Sequence, residues 1–299
     1  MKSKVGLVDL VANYILRQKG KKVRPLLVLL SAKVSGGITE RSYRGAVLVE
    51  LLHTATLVHD DVVDNADKRR GFWSINAMFK NKVAVLMGDY LLSRGLMLAV
   101  EGKDYDFLGV VTDAVKRMSE GELLQIQKTR KLDIDEATYF KVISDKTASL
   151  LETCCQIGAM SASENTEFHK SMKDFGAAIG IAFQIRDDIL DFEGNSNLIG
   201  KPVGGDIKEK KITLPLIYAL NQVPKSQAAE IIKYIKNGSK KEKIREIVDF
   251  VRKNNGIDYA FETAYSYSKK AKEALNIFPE NQSKIALEAL VDFIIDRKN

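Results

Sequence analysis

The sequence predicts an all-α protein, a large helical bundle, on three observations. Apolar residues recur at helical spacing in segment after segment. No stretch alternates with strand period over a useful length, and glycine- and proline-marked breaks fall between the periodic segments. Several helices are apolar on more than one face, which only a large bundle satisfies.

Residues 8–18 form the first helix, which yields near Gly20 as the chain runs toward Pro25. Pro25 starts a second helix over 26–32, proline being favoured at an early helical position. The chain turns at Ser35-Gly36-Gly37. Glu40 or Arg41 then opens a long helix through Val47, Leu51, Thr54 and Val58 to Asp60. Residues 65–74, rich in Asp, Lys and Arg, read as a loop. Two helices follow over 81–100 and 107–127. Asp133 or Asp135 caps the next, which runs past Lys146-Thr147-Ala148-Ser149 to Met160. Asn165 caps another that ends in Asp187-Asp188-Ile189-Leu190-Asp191. Residues 194–211 carry glycines at 194, 200, 204 and 205 together with Pro202. Connections usually run ~4–6 residues, so so long a break reads as a lid or ligand-binding segment. Thr213-Leu214-Pro215 restarts a helix, and 225–236, 241–251, 258–275 and 281–297 complete the chain.

At 299 residues with no visible linker, a single domain over 1–299 is expected. A hydrophobic fraction of 45% with 28% charged residues fits a soluble globular chain with a large core. No apolar run reaches the ~18–20 uncharged residues of a spanning helix, and no cleavage site follows Met1-Lys2-Ser3-Lys4, so a cytoplasmic protein is expected. The adjacent Cys154 and Cys155 offer neither a disulfide framework nor metal-site spacing. The net charge of +7 is spread along many segments without interleaved aromatics, which disfavours nucleic acid as a partner. Basic clusters at 19–24, 68–70 and 208–211 suit small phosphorylated ligands instead.

Two acidic motifs carry the chemistry. Asp60-Asp61-Val62-Val63-Asp64 and Asp187-Asp188-Ile189-Leu190-Asp191 share one spacing. On a helix, residues four apart lie on one face about 5.4 Å apart, so each motif presents two carboxylates to one ligand. Like charges on an apolar helix repel and resist desolvation unless water, basic partners or a cation relieve them. Hard carboxylate oxygens suit Mg²⁺, which keeps waters and shares itself with substrate phosphates. One such motif would be an ordinary solvated face; two in one chain arise by chance in roughly one chain of several hundred. Apolar residues precede both, Thr54 to Val58 and Gly180 to Phe183, which points to a lined cavity.

The ordered set of segments resembles the all-trans polyprenyl diphosphate synthases over nearly the whole chain. The set comprises Gly20-Lys21-Lys22-Val23-Arg24-Pro25, Glu50-Leu51-Leu52-His53-Thr54-Ala55, the first motif through Arg69-Arg70-Gly71, and Gly88-Asp89-Tyr90-Leu91-Leu92. Lys146-Thr147-Ala148, Phe183-Gln184-Ile185-Arg186-Asp187-Asp188 and Gly205-Asp206 through Leu214-Pro215 complete it.

The resemblance implies a helical bundle around a deep central cavity, a homodimer, and a magnesium-dependent prenyltransferase. Such an enzyme condenses isopentenyl diphosphate head-to-tail with an allylic diphosphate. By the same resemblance, Asp60, Asp61, Asp64 and Asp187, assisted by Asp188 and Asp191, hold about three Mg²⁺ on the allylic diphosphate. Arg69, Lys146, Thr147, Gln184, Lys201 and Lys211 contact that diphosphate. Lys21, Arg24, His53 and Arg70 hold that of isopentenyl diphosphate. Membrane contact is at most peripheral, through the product.

Chain length is read from the residues before the first motif. In short-chain members a large aromatic four or five positions before it acts as a floor, whereas here Thr56 and Ala55 are small. One isoprene unit is about one helical turn long, so a product of about six to nine units (C30–C45) is expected. The alternatives are a short-chain synthase (C15–C20) and the non-catalytic subunit of a heteromeric prenyl synthase. A terpene cyclase carries a single Asp-Asp-x-x-Asp motif and lacks a second phosphate cluster, so it fits less well.

Overall fold

The structure, a computed structural model, describes residues 4–17, 20, 22–69, 71–193, 204–238 and 241–297. Its contacts group into two compact units: Met1–Val111 with Ile157–Glu164, and Thr112–Gln156 with Asn165–Asn299.

The first unit contains α1 (Gly6–Arg17), α2 (Val23–Ser35), α3 (Glu40–Val63), a hairpin of β1 (Lys68–Arg69) and β2 (Phe72–Trp73), α4 (Ile75–Phe79) and α5 (Asn81–Glu101). It also takes the start of α6 (Tyr105–Lys131) and the end of α8 (Ser149–Ala162). α3 begins where Thr39 and Ser42 form a reciprocal capping box, satisfying two backbone donors that a helix start leaves open. α3 and α5 lie along one another. One apolar cluster between helices of this unit holds Val11, Ala12, Ala55, Val58, Ile75, Ala84, Met87 and Leu91. The nearly inaccessible Asp104 accepts from Arg44 Nε at 2.6 Å and Arg41 Nε at 2.9 Å, tying the start of α3 to the turn before α6. The residue 65–74 stretch, read as a loop, contains the hairpin, whose two-residue strands are too short to show strand period.

α5 passes a looser test for apolar length than the absence of charge. An 18-residue window of this helix has mean hydropathy 1.6 and is one-third buried; it is long and apolar enough to cross a membrane by length and composition only, a test that core helices of soluble proteins also pass. Asp89 and Arg94 interrupt the run, which is why a search for uncharged stretches passes over it.

The second unit contains the rest of α6, α7 (Glu136–Ile143), a π turn (Ser144–Ala148), the start of α8 and the long α9 (Thr166–Glu193). It continues with α10 (Gly205–Lys208), α11 (Leu214–Asn221), α12 (Lys225–Lys236), α13 (Lys241–Lys253), α14 (Gly256–Ala274) and α15 (Gln282–Asp296). α9 packs against α14 along its length and also meets the π turn and α15. Its buried side, including Phe175, Ile179, Ile185, Ile189 and Phe192, is the spine of this unit's core. Asp135 caps α7 by accepting from Thr138 N at 2.7 Å, which resolves the choice of cap. The helix expected from there to Met160 is interrupted at 144–148, where the Ser149 N–H reaches back five residues to Ser144 O. Of the 194–211 break, 194–203 lies outside the described residues, while α10 occupies part of the remainder.

Candidate functional site

The first motif closes α3. Asp60 and Asp61 stand in its last turn. Asp64 is the C-cap, and its N–H reaches Asp60 O at 2.8 Å, so Asp60 and Asp64 keep helical spacing. Asp61 is buried and accepts from Arg69 Nε at 2.7 Å. The chain turns sharply to allow this: Ala66 N–H caps Asp61 O at 2.9 Å, Ser74 Oγ holds Ala66 O at 2.6 Å, and the hairpin carries Arg69 back over the helix end. Arg69, assigned from resemblance to the diphosphate, is thus also the partner of Asp61. Arg70 lies outside the described residues.

His59, just before the motif, has Nε2 3.2 Å from Val85 O and 3.5 Å from Asp89 Oδ1. A Cβ on Gly88 would stand 2.2 Å from that nitrogen, so a larger residue there would displace the His59 ring from its place against α5. Among the residues assigned to isopentenyl diphosphate, Arg24 lies in the first turn of α2 and His53 on α3, both half-buried. Lys21 lies outside the described residues. Its neighbour Lys22, at a left-handed φ of 49°, donates to Glu50 Oε1 at 2.6 Å. Ala55 is 2% exposed within the α3/α5 cluster, whereas Thr56 is half-buried and donates to His53 O at 2.9 Å.

The second motif occupies the last turns of α9. Asp187 is exposed and ion-paired with Arg297 just beyond α15, whose guanidinium lies 4.5 Å from the centre of the Phe183 ring. Asp188 is buried, accepting from Tyr139 OH at 2.6 Å and Gln184 Nε2 at 2.8 Å. Asp191 accepts from the backbone N–H groups of Gly205 (2.9 Å) and Asp206 (3.1 Å), fixing the start of α10 against α9. Burial, and then the charge of Asp206, push the Asp188 carboxyl up to about 7, against the opposing hydrogen bonds from Tyr139 and Gln184. Burial, and then Asp191, raise Asp206 to about 6. Burial and the neighbouring Asp188 hold the Tyr139 phenol well above its ordinary value.

A cavity of about 170 Å³ in this unit gathers Lys128, Lys146, Lys210 and Lys211 with Asp188 and Asp206. Lys146 pairs with Glu122 and donates to Gln125 Oε1 at 3.3 Å. Thr147 Oγ1 donates to Gln184 Oε1 at 3.1 Å, and Gln184 in turn reaches Asp188, so one chain of hydrogen bonds runs from the π turn to the motif. Lys211 Nζ pairs with Glu209 at 2.6 Å. The structure therefore brings together Lys146, Thr147, Gln184, Asp188 and Lys211 in one pocket, while Lys201 lies outside the described residues.

Among the described residues, no three His, Cys, Asp or Glu side chains converge into a metal cage of their own. Mg²⁺ does not require one, since it binds through one or two carboxylates together with phosphate oxygens and water. The carboxylates here fit such an ion. Burial first, and then repulsion among Asp188, Asp191 and Asp206, raises two of these carboxyls, and a cation relieves that repulsion.

Sequence reasoning did not assign Asp206, Tyr139 or Lys128 to the site. Asp206 was visible within Gly205-Asp206-Ile207-Lys208, but a lone acid among lysines carries no spacing signal. Tyr139 lies 49 positions from Asp188, beyond the reach of any local pattern.

Known proteins resemble this chain over nearly its whole length. The Polyprenyl synthetase family model matches residues 6–251. Octaprenyl diphosphate synthase of Haemophilus influenzae is 37% identical over 297 residues, covering 99% of this chain and 90% of the relative. Heptaprenyl diphosphate synthase component 2 of Bacillus subtilis is 32% identical, covering 100% of this chain and 85% of that protein. The crystal structure of a polyprenyl synthase from Caulobacter crescentus, complexed with calcium and isoprenyl diphosphate, superposes with a TM-score of 0.90 at 33% identity. It covers 100% of this chain and 92% of that one.

Proposed function

The chain belongs to the polyprenyl synthetase family and is a trans-polyprenyl diphosphate synthase; from that premise we propose a Mg²⁺-dependent enzyme that extends an allylic diphosphate with isopentenyl diphosphate to about six to nine isoprene units. The observation that carries this is the lysine-lined pocket in which Lys146, Thr147 and Gln184 lead by hydrogen bonds to the buried Asp188.

In this proposal Asp60, Asp61, Asp64, Asp187, Asp188 and Asp191 are the carboxylates for the metal. When bound, Mg²⁺ neutralises charge on the diphosphate leaving group. Lys146, Lys211, Lys201 and Arg69 are the cations we assign to that diphosphate, where negative charge grows as the allylic C–O bond ionises. Thr147 and Gln184 orient the group. Lys21, Arg24, His53 and Arg70 fix isopentenyl diphosphate so that its double bond meets the allylic cation. The proton lost in regenerating the double bond passes to the released pyrophosphate.

The small side chains of Ala55 and Thr56 support the longer product, as does similarity to an octaprenyl synthase. Ala55→Tyr is expected to shorten the product to about three or four units, because a ring one turn below the motif blocks a tail growing by about one turn per unit. Placed in the α3/α5 cluster, that ring also overpacks a filled core, so the melting temperature falls with it. Reversed-phase chromatography of the product checks the first outcome, and an unchanged length shows that the tail runs elsewhere.

We place the enzyme in the cytoplasm as a homodimer acting as one catalytic domain. The exposed Leu86, Met97 and Val100 of α5 support the dimer, forming one stripe at i, i+11 and i+14. Leu86→Glu with Met97→Glu is expected to halve the mass seen by light scattering.

The name of the Bacillus subtilis relative, component 2, favours one second reading, a catalytic subunit that needs a partner. Assaying the purified chain alone with Mg²⁺ and both substrates separates the two. Pyrophosphate release with a long all-trans product supports the proposal, and silence until a partner is added supports the second reading.

A further inference from the structure

The residues that hold the π turn are not part of the pocket, and they form a part-buried ionic staple across the turn. Arg117 of α6 donates from Nε to Asp145 Oδ1 at 3.0 Å and from Nη2 to Ser144 Oγ at 3.3 Å, both at the start of the turn. Its Nη1 also meets both carboxylate oxygens of Glu152 at 3.0 Å, beyond the end of the turn on α8. One guanidinium thus spans the bulge, a planar fork that lysine does not reproduce. Lys141 adds a contact to Asp145 Oδ2 at 3.0 Å, and Lys173 of α9 one to Glu152 at 3.4 Å. Burial would raise the Asp145 carboxyl, but Lys141 and Arg117 outweigh it and keep it below its ordinary value.

The surrounding helices leave the turn little room. A Cβ on Gly121 of α6 would stand 2.9 Å from Lys146 N, and one on Gly180 of α9 would stand 2.5 Å from Ala148 Cα. A π turn inserts one residue into the helical register and so redirects the side chains within it. Asp145 consequently faces the staple while the next two residues, Lys146 and Thr147, line the cavity.

We infer that Arg117 is a positioning residue for the reaction: by bridging Asp145 and Glu152 it fixes the π turn in the register that aims Lys146 and Thr147 at the substrate diphosphate. The inference rests on the proposed role of Lys146 and Thr147. A part-buried ionic network is a poor source of stability, since desolvation and solvent screening offset the attraction between its charges. What the fork supplies is geometry.

Three variants test it, each assayed for KM and kcat with pyrophosphate release as the readout: Arg117→Lys, Lys146→Ala and their combination. Arg117→Lys keeps a positive charge beside both carboxylates but cannot bridge the turn. It is expected to raise KM for the allylic diphosphate about tenfold while leaving that for isopentenyl diphosphate within about twofold, an effect the size of one misaimed charged hydrogen bond. Lys146→Ala gives the same split. Because Arg117 acts through Lys146 and Thr147, the combined variant falls well short of the product of the two single effects.

Multiplying effects, or unchanged kinetics in a folded Arg117→Lys protein, overturn the inference. If Lys146→Ala itself leaves KM unchanged, the assignment of the pocket fails instead. Asp145→Asn leaves the Arg117–Glu152 contact in place and runs the same cycle should Arg117→Lys fold poorly. Additivity there is equally decisive against the inference.

Discussion

Asp60→Asn is expected to lower kcat by about three orders of magnitude, the scale on which losing one preorganised electrostatic contact to a developing charge acts. Asparagine keeps the shape of the side chain but removes the negative charge that we propose draws Mg²⁺ to the end of α3. Stability should hardly change. Asp60 is only half-buried at the C-terminal end of α3, where a negative charge sits unfavourably against the helix dipole. The pair that closes the helix end, Asp61 with Arg69, stays intact. A melting temperature within a few degrees of the parent, together with collapsed pyrophosphate release, separates a lost catalytic contact from a lost fold. Full activity in the variant would remove the first motif from the mechanism.

Asp188→Asn should separate stability from activity in the opposite sense. In the folded chain burial and Asp206 raise the Asp188 carboxyl from 3.8 to about 7, so folding favours its protonated form. The folded state then binds more protons than the unfolded one between those two values. Stability contributed by this group is therefore greatest at low pH and declines as pH rises from about 4 to about 7. Asp206, raised to about 6, adds a decline of the same sign over a narrower range. At 1.36 kcal/mol per unit the Asp188 shift corresponds to a few kcal/mol.

Asparagine accepts the Tyr139 hydroxyl with its one oxygen, gives up the bond from Gln184 Nε2, and relieves both the burial of a charge and the repulsion on Asp206. The variant should melt several degrees above the parent at pH 8 without added Mg²⁺, with a flatter pH dependence, and be the poorer enzyme. Thermal melts from pH 4.5 to 8.5 check the sign. A parent chain whose stability climbs across that interval would contradict the burial argument.

Helical periodicity made most of the architecture legible because it repeats over ten residues or more. α3 and α9 were read as helices ending in the two acidic motifs, and Asn165 was assigned the cap it supplies, accepting from Glu167 N at 2.9 Å. What escaped was short or distant. The π turn differs from an α-helix by one residue of register, and Lys146-Thr147-Ala148-Ser149 has an ordinary helical composition. Nothing in the sequence marks the fold-back that brings Arg69 to Asp61, since two-residue strands show no alternation.

The partners of the second motif are remoter still. Tyr139, Arg297 and Asp206 reach Asp188, Asp187 and Asp191 from separate segments, and no spacing encodes those meetings. Their charges matter to the site all the same. Carboxylates that resist desolvation and repel one another are expected from the motif, but that Asp206 adds the largest charge effect, after burial, to the rise at Asp188 is not legible in the sequence.

The central claim is that both acidic motifs hold the allylic diphosphate through Mg²⁺, and calorimetric binding of an unreactive thiolodiphosphate analogue tests it most directly. Titrated into the parent chain, the analogue should bind with Mg²⁺ and lose at least about tenfold in affinity without it. Asp60→Asn and Asp187→Asn should each weaken the Mg²⁺-dependent binding. Tight binding in the absence of Mg²⁺, or binding indifferent to either substitution, would contradict the account.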